Sequence, residues 1–149
     1  MAPHILLLGD STLDILRQRR DDFELVAFTY HNNEEKARGI ASEFGVRHSF
    51  STAAADAAEK TKALLDLEHD FIIVAIVGAA GVTTTLAAAQ RGETILLANK
   101  ESLVIAGDVV NAAAAKSGAK FLPVDSEHSS LWRLMPAQGA IRAAYLTAS

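Results

Sequence analysis

Two short polar clusters hold most of the side chains in this 149-residue chain that could do chemistry. The first is Asn99-Lys100-Glu101-Ser102 and the second is Asp125-Ser126-Glu127-His128-Ser129. Together they offer a fixed cation, three carboxylates, an amide, several hydroxyls and an imidazole. Asp125 and Glu127 stand two residues apart. In an extended segment both point the same way and can share one hard cation such as Mg2+ or Mn2+. Lys100, if buried, needs a counter-charge, which Glu101 or a phosphorylated substrate can supply. Each cluster also reads as a helix cap with a solvated first turn, a purely structural use of the same residues.

The elements that must position these clusters are legible on either side of them. Each follows an apolar run, residues 95–98 (ILLA) and 120–124 (KFLPV), and an Ala-rich helical segment, 108–117, lies between. Strand, helix, strand is a βαβ unit, and ligands of open parallel sheets bind beyond the carboxyl ends of the strands. Earlier runs repeat the pattern. HILLL at 4–8 is a short buried strand leading to Gly9-Asp10-Ser11 and a helix with Leu13, Ile15 and Leu16 inward. FELVAFT at 23–29 is a second strand leading to Tyr30-His31-Asn32-Asn33. There follow an amphipathic helix at 34–44 stopped by Gly45, a marginal strand at 46–50 and an Ala-rich, charged helix at 51–67. FIIVAIV at 71–77 is the most buried-looking strand; it ends in Gly78-Ala79-Ala80-Gly81, before a helix at 86–90. Small residues there either admit a cofactor closely or simply shape the turn. Residues 129–135 suit a docking helix and 141–146 a last strand, while His48 and His69 read as surface residues. The expected class is α/β: a Rossmann-like three-layer domain with a mostly parallel sheet.

Composition narrows the function classes. Half the residues are hydrophobic and 21% charged, a globular composition. A net charge of −4 gives no support to a nucleic-acid partner or an anionic membrane. The chain has no cysteine, so disulfides and thiolate metal sites are excluded. MAPHILLLGD lacks a basic leader region, and no apolar run approaches a bilayer's thickness; a cytoplasmic protein is expected.

The wording of both clusters, Leu97-Ala98-Asn99-Lys100-Glu101-Ser102-Leu103-Val104 and Pro123-Val124-Asp125-Ser126-Glu127-His128-Ser129, resembles the 1-deoxy-D-xylulose 5-phosphate reductoisomerase family. So do the Gly78–Gly81 turn and the closing Leu146-Thr147-Ala148-Ser149. The resemblance implies NADPH- and divalent-metal-dependent rearrangement and reduction to 2-C-methyl-D-erythritol 4-phosphate, in isoprenoid biosynthesis. It implies an NADPH-binding domain over 1–124 and the start of a catalytic metal and substrate domain over 125–149. It implies catalytic roles for Lys100 and Glu101, and metal ligation by Asp125 and Glu127 with Mg2+ or Mn2+. The substrate, a phosphorylated sugar-like small molecule, would face Lys100, Ser126, Glu127 and Ser149. The cofactor would face Gly9, His31, Asn33, Gly78, Asn99 and Glu101. A homodimer is left open. The chain also departs from the family. Its first turn, Gly9-Asp10-Ser11, lacks about six residues of the glycine-rich phosphate loop, and Asp10 would repel phosphate. His31 and Asn32 stand where a Gly and a Lys are usual, so His31 either faces a phosphate or is a plain loop histidine. The chain is therefore expected to be an incomplete or inactive version of the enzyme; the alternative is a non-catalytic, degenerate Rossmann-fold protein keeping only folding or dimer-contact roles.

Overall fold

The computed structural model describes residues 2–9, 12–135 and Ala143. The apolar runs become six strands: β1 (His4–Leu8), β2 (Glu24–Tyr30), β3 (His48–Ser51), β4 (Phe71–Val74), β5 (Thr94–Leu97) and β6 (Lys120–Pro123). Between and after them run α1 (Leu13–Gln18), α2 (Glu34–Phe44), α3 (Ala57–Leu65), α4 (Ala80–Gln90), α5 (Glu101–Ser117) and α6 (Ser126–Leu134). All paired strands are parallel, in the order β3-β2-β1-β4-β5-β6. This is the strand order of the dinucleotide-binding fold, and the direction of winding reverses between β1 and β4. The carboxyl ends of those two strands therefore open the crevice where a ligand is expected.

Strand alternation builds two cores, one on each face of the sheet. Ile5, Leu7, Leu25, Phe28 and Ile73 pack against α1 and α2 through Leu13, Leu16, Ala37 and Ile40. Leu6, Leu8, Ala27, Ile72, Val74, Ile95 and Leu97 pack against Leu64, Leu65, Ala88, Ala89, Val110 and Ala114 of α3, α4 and α5. Four of the five β1 residues are at most 2% exposed, as a central parallel strand requires. Surface pairs tie the first two helices together: Arg17 and Arg20 both reach Glu43, and the Arg20 guanidinium sits over the Phe44 ring. Hydrogen bonding to Arg17 holds the Glu43 carboxyl below its ordinary range.

Several elements differ from the sequence expectation, for identifiable reasons. The strand at 71–77 stops at Val74, and Ala75 N–H makes the next bond to β1, at Leu8 O. The helix expected at 86–90 begins at Ala80, so the Thr83–Thr85 run is helical despite its low propensity; burial of Thr84 and Thr85 decides it. The helix expected at 108–117 begins at Glu101, with a break at Ala106 (φ −133°, ψ 26°) just before Gly107. The strand at 46–50 shifts to His48–Ser51, and the helix at 51–67 shortens to α3. Ile15 points outward, 58% exposed. His69 is not a surface residue: its side chain is 4% exposed and sits 3.1 Å from Glu93. The strand expected at 141–146 lies outside the described residues.

The crevice depends on one close approach. Gly9 has φ +114°, and a Cβ there would come within 2.5 Å of the Ala75 carbonyl. Gly9→Ala is expected to lower stability by roughly 3 kcal/mol from backbone strain and overpacking, read as a fall in the denaturant midpoint at constant m-value.

Candidate functional site

Two cavities lie along the carboxyl edge of the sheet, and both include residues 75–77 in their walls. The larger, about 680 Å3, runs from Gly9 and the end of β2 across to α3 and α4. Tyr30, His31, Asn33, Lys36, Ile40 and Lys62 line one end of it, and Val77, Ala80, Thr83 and Thr84 the other. The smaller, about 400 Å3, is lined by Ala75, Ile76, Val77, Ala98, Asn99, Lys100, Glu101, Asp125, Ser126 and Glu127. Both polar clusters thus meet in one cavity, brought there by the parallel ends of β5 and β6.

Asn99 is the centre of the smaller cavity's wall and is 1% exposed. Its Nδ2 donates toward Ile76 O at 2.7 Å, Gly78 O at 2.9 Å and Glu101 Oε2 at 3.0 Å. Its Oδ1 accepts from Ser102 N at 2.9 Å and from the Ser102 hydroxyl. Ser102 Oγ lies 2.9 Å from Thr85 Oγ1, and Thr85 Oγ1 lies 2.9 Å from Gly81 O; both hydroxyl residues are fully buried. A Cβ on Gly81 would fall 2.7–2.9 Å from the Asn99 amide atoms. The packing reason for Gly81 is therefore the Asn99 side chain within the protein.

The remaining site residues are more exposed. Lys100 is half exposed, and its partner is Glu127, Nζ to Oε1 at 3.4 Å, rather than the Glu101 expected from sequence. Ser126 Oγ donates to Glu127 Oε2 at 2.9 Å. A bond from its own backbone N–H, then Ser126 and Lys100, hold the Glu127 carboxyl below the ordinary glutamate range. Asp125 is the N-cap of α6, accepting from His128 N at 3.0 Å, with His128 Nδ1 2.9 Å from its other oxygen. The extended Asp125–Glu127 segment expected from the spacing is overturned: Glu127 lies in the first turn of a helix, so the two carboxylates share a cavity without sharing a strand face. Among the described residues no three His, Asp or Glu side chains form a cluster fit for a metal ion. Asp125 and Glu127 can supply one side of a hard cation's oxygen shell; the full shell needs about six ligands or more.

The expected cofactor residues divide. Gly9, His31 and Asn33 line the larger cavity, while Asn99 and Glu101 line the smaller. Asn33 caps α2, accepting from Lys36 N at 2.8 Å, and His31 Nδ1 lies 3.1 Å from Thr52 Oγ1. Gly78 lines neither cavity; its φ is +69° and its carbonyl serves Asn99. Asp10, Ser11 and Ser149 lie outside the described residues. Beside that turn, the buried Thr12 hydroxyl has no hydrogen-bond partner among the described residues. Sequence reading placed Ser102 in the first polar cluster but missed Thr85 and the burial that pairs the two hydroxyls. It also took Lys62 for a solvated surface charge, whereas Lys62 lines the larger cavity.

Comparison with known proteins follows the same outline. The family model described as 1-deoxy-D-xylulose 5-phosphate reductoisomerase matches residues 7–66 and 48–107. The 1-deoxy-D-xylulose 5-phosphate reductoisomerase of Geobacillus sp. (strain WCH70) is 40% identical over 146 residues, 86% of this chain and 38% of that protein. Those aligned positions outnumber the residues of this chain that they cover, so the relative carries residues this chain lacks. A crystal structure of DOX-P reductoisomerase in complex with NADPH, fosmidomycin and magnesium is 35% identical, TM-score 0.75, over 91% of this chain and 39% of that one. The Zymomonas mobilis enzyme in complex with NADPH is 29% identical, TM-score 0.78, over 92% and 42%. The chain spans about two fifths of the length of these relatives. No helix among the described residues is long and apolar enough to cross a membrane.

The ion pair in the smaller cavity makes a direct expectation. Lys100→Ala should raise the titration midpoint of the Glu127 carboxyl, followed by carbon NMR, while Ser126 and the backbone bond keep part of the depression. An unchanged midpoint would remove Lys100 from the set of groups acting on Glu127.

Proposed function

Because the chain belongs to the 1-deoxy-D-xylulose 5-phosphate reductoisomerase family, we propose that it forms the NADPH-binding domain and one wall of the substrate site of such an enzyme. Residues 1–124 take the cofactor role, and 125–149 begin the part that holds metal and substrate. The observation that carries this reading is the wall at 75–77, common to a dinucleotide-sized groove and to the cavity holding both polar clusters. A hydride donor in one and its acceptor in the other would meet there.

The groove fits a dinucleotide at both ends. Small side chains (Ala80, Thr83 and Thr84) allow a ring to lie against α4, and Lys36, Lys62 and His31 place cationic or hydrogen-bonding groups near the end of β2. When bound, NADPH supplies the hydride, and a divalent ion supplies Lewis acidity toward the substrate's oxygens. The chain's own groups do the positioning. Lys100 offers a point charge to a phosphorylated, sugar-like substrate, and Glu127 lies close enough to orient the ammonium. Asp125, braced by His128, and Glu127 offer carboxylate oxygens for the ion. Glu101 is turned toward Asn99 and lines the smaller cavity. A homodimer belongs to the same reading, since α6 leaves Leu131, Trp132, Leu134 and Met135 exposed.

Two measurements on the purified chain test the reading. NADPH should raise the thermal midpoint in a concentration-dependent way, by about 2.7 kcal/mol of added stability at a hundredfold excess over Kd. With Mn2+ and 1-deoxy-D-xylulose 5-phosphate added, the chain alone should leave NADPH absorbance unchanged, because Asp125 and Glu127 supply only one side of a hard cation's oxygen shell; measurable turnover would contradict the incomplete reading. No stabilisation by NADPH would contradict cofactor binding. It would favour instead the non-catalytic, degenerate reading.

A further inference from the structure

We propose that Ser102 and Thr85 are positioning residues: their buried hydroxyls hold the Asn99 amide as the strut that fixes the 75–78 wall and sets the stance of Glu101. The proposal rests on the reductoisomerase reading for its functional consequence, but the strut itself is a property of the fold. No comparison assigns either hydroxyl a role.

The geometry leaves little freedom at Asn99. Its carbonyl oxygen faces the Ser102 N–H and hydroxyl, and its amide nitrogen faces the Ile76 and Gly78 carbonyls. Turning the amide over would set donor against donor and acceptor against acceptor, so only one orientation is tolerated. Every polar atom of Asn99 is therefore engaged within the protein. Asn99, expected beside the cofactor, also holds the wall that the cofactor would meet.

The network also holds fewer hydrogens than contacts. Asn99 Nδ2 has two hydrogens for three acceptors: Ile76 O, Gly78 O and a Glu101 oxygen. Glu101 lines the smaller cavity, and as a side chain it can turn away where the carbonyls cannot. It is the exchangeable partner. A ligand entering the smaller cavity can draw Glu101 off without disturbing the two carbonyls. Thr85 and Ser102 likewise share two hydroxyl hydrogens among three contacts, at Gly81 O, between the hydroxyls, and at Asn99 Oδ1. Removing the Ser102 hydroxyl leaves Asn99 Oδ1 with the Ser102 N–H alone, and removing the Thr85 hydroxyl takes away the group 2.9 Å from the Ser102 hydroxyl that holds it in place. Gly81 closes the strut from the other side, since a Cβ there would press on the amide.

Three variants of the full chain test this: Ser102→Ala, Thr85→Val, and Gly81→Ala, which keeps every donor but crowds the amide. Thr85→Ser, which keeps the hydroxyl, serves as the rescue. The readout independent of activity is the Asn99 side-chain amide pair in nitrogen-15 spectra. It should exchange slowly with solvent in the native chain and in Thr85→Ser, and at least tenfold faster in the other three. In NADPH titrations the same three should bind about tenfold more weakly, with Thr85→Ser within about twofold of the native chain. If one variant fails to fold, the other two decide. Unchanged amide exchange in the folded variants overturns the proposal, whether or not NADPH binds. Faster exchange in the variants, together with a native chain that does not bind NADPH, upholds the strut and sinks the reductoisomerase reading instead.

Discussion

The arrangement of this site depends on one buried amide. Asn99 joins the turn after β4 to the turn after β5, just beyond the bond from Ala98 N–H to Val74 O that ends the strand pairing. Each hydrogen bond of this kind contributes about 1 kcal/mol net, but an unmet buried amide would cost more. The network is therefore set by avoidance of an orphaned polar group rather than by attraction. Through it the Ile76–Gly78 backbone is placed, and with it the boundary between the two cavities. Lys100 and Glu101 flank the same residue and inherit its position.

Around this strut the fold is the ordinary consequence of six short apolar runs. Parallel pairing places every strand's carboxyl end on one edge, so both polar clusters arrive there without any contact between them being needed for folding. The glycines at the crevice answer to neighbouring protein atoms. Gly9 makes room for the Ala75 carbonyl and Gly81 for the Asn99 amide. The two cavities thereby share residues 75–77 in their linings.

Much of the fold was legible in the sequence because burial and period agree: runs such as HILLL and FIIVAIV admit little but a central strand. Three things were not legible. The Thr83–Thr85 run reads as a poor helix former, and only packing against α5 makes it helical. The Asp125–Glu127 spacing suggests one face of a strand, yet Asp125 is a strong N-cap and turns Glu127 into a helix. His69 looks like any loop histidine until Glu93 arrives from the loop before β5. Of the site, the two clusters and their meeting were legible, whereas the partner of Lys100 and the hydroxyls behind Asn99 depended on tertiary contacts that no local pattern records.

The central claim is that a nicotinamide ring in the larger cavity reaches the wall at 75–77 that borders the two clusters. Magnetisation transfer between the nicotinamide ring protons of NADPH and the methyl groups of Ala75 and Val77 tests it most directly. Cross-peaks from the ring to those methyls, and from the adenine to Ile40 or Ala57, are the expected result. Cross-peaks that tie the nicotinamide to the β2 end of the groove, or that join the cofactor to neither end, would contradict it.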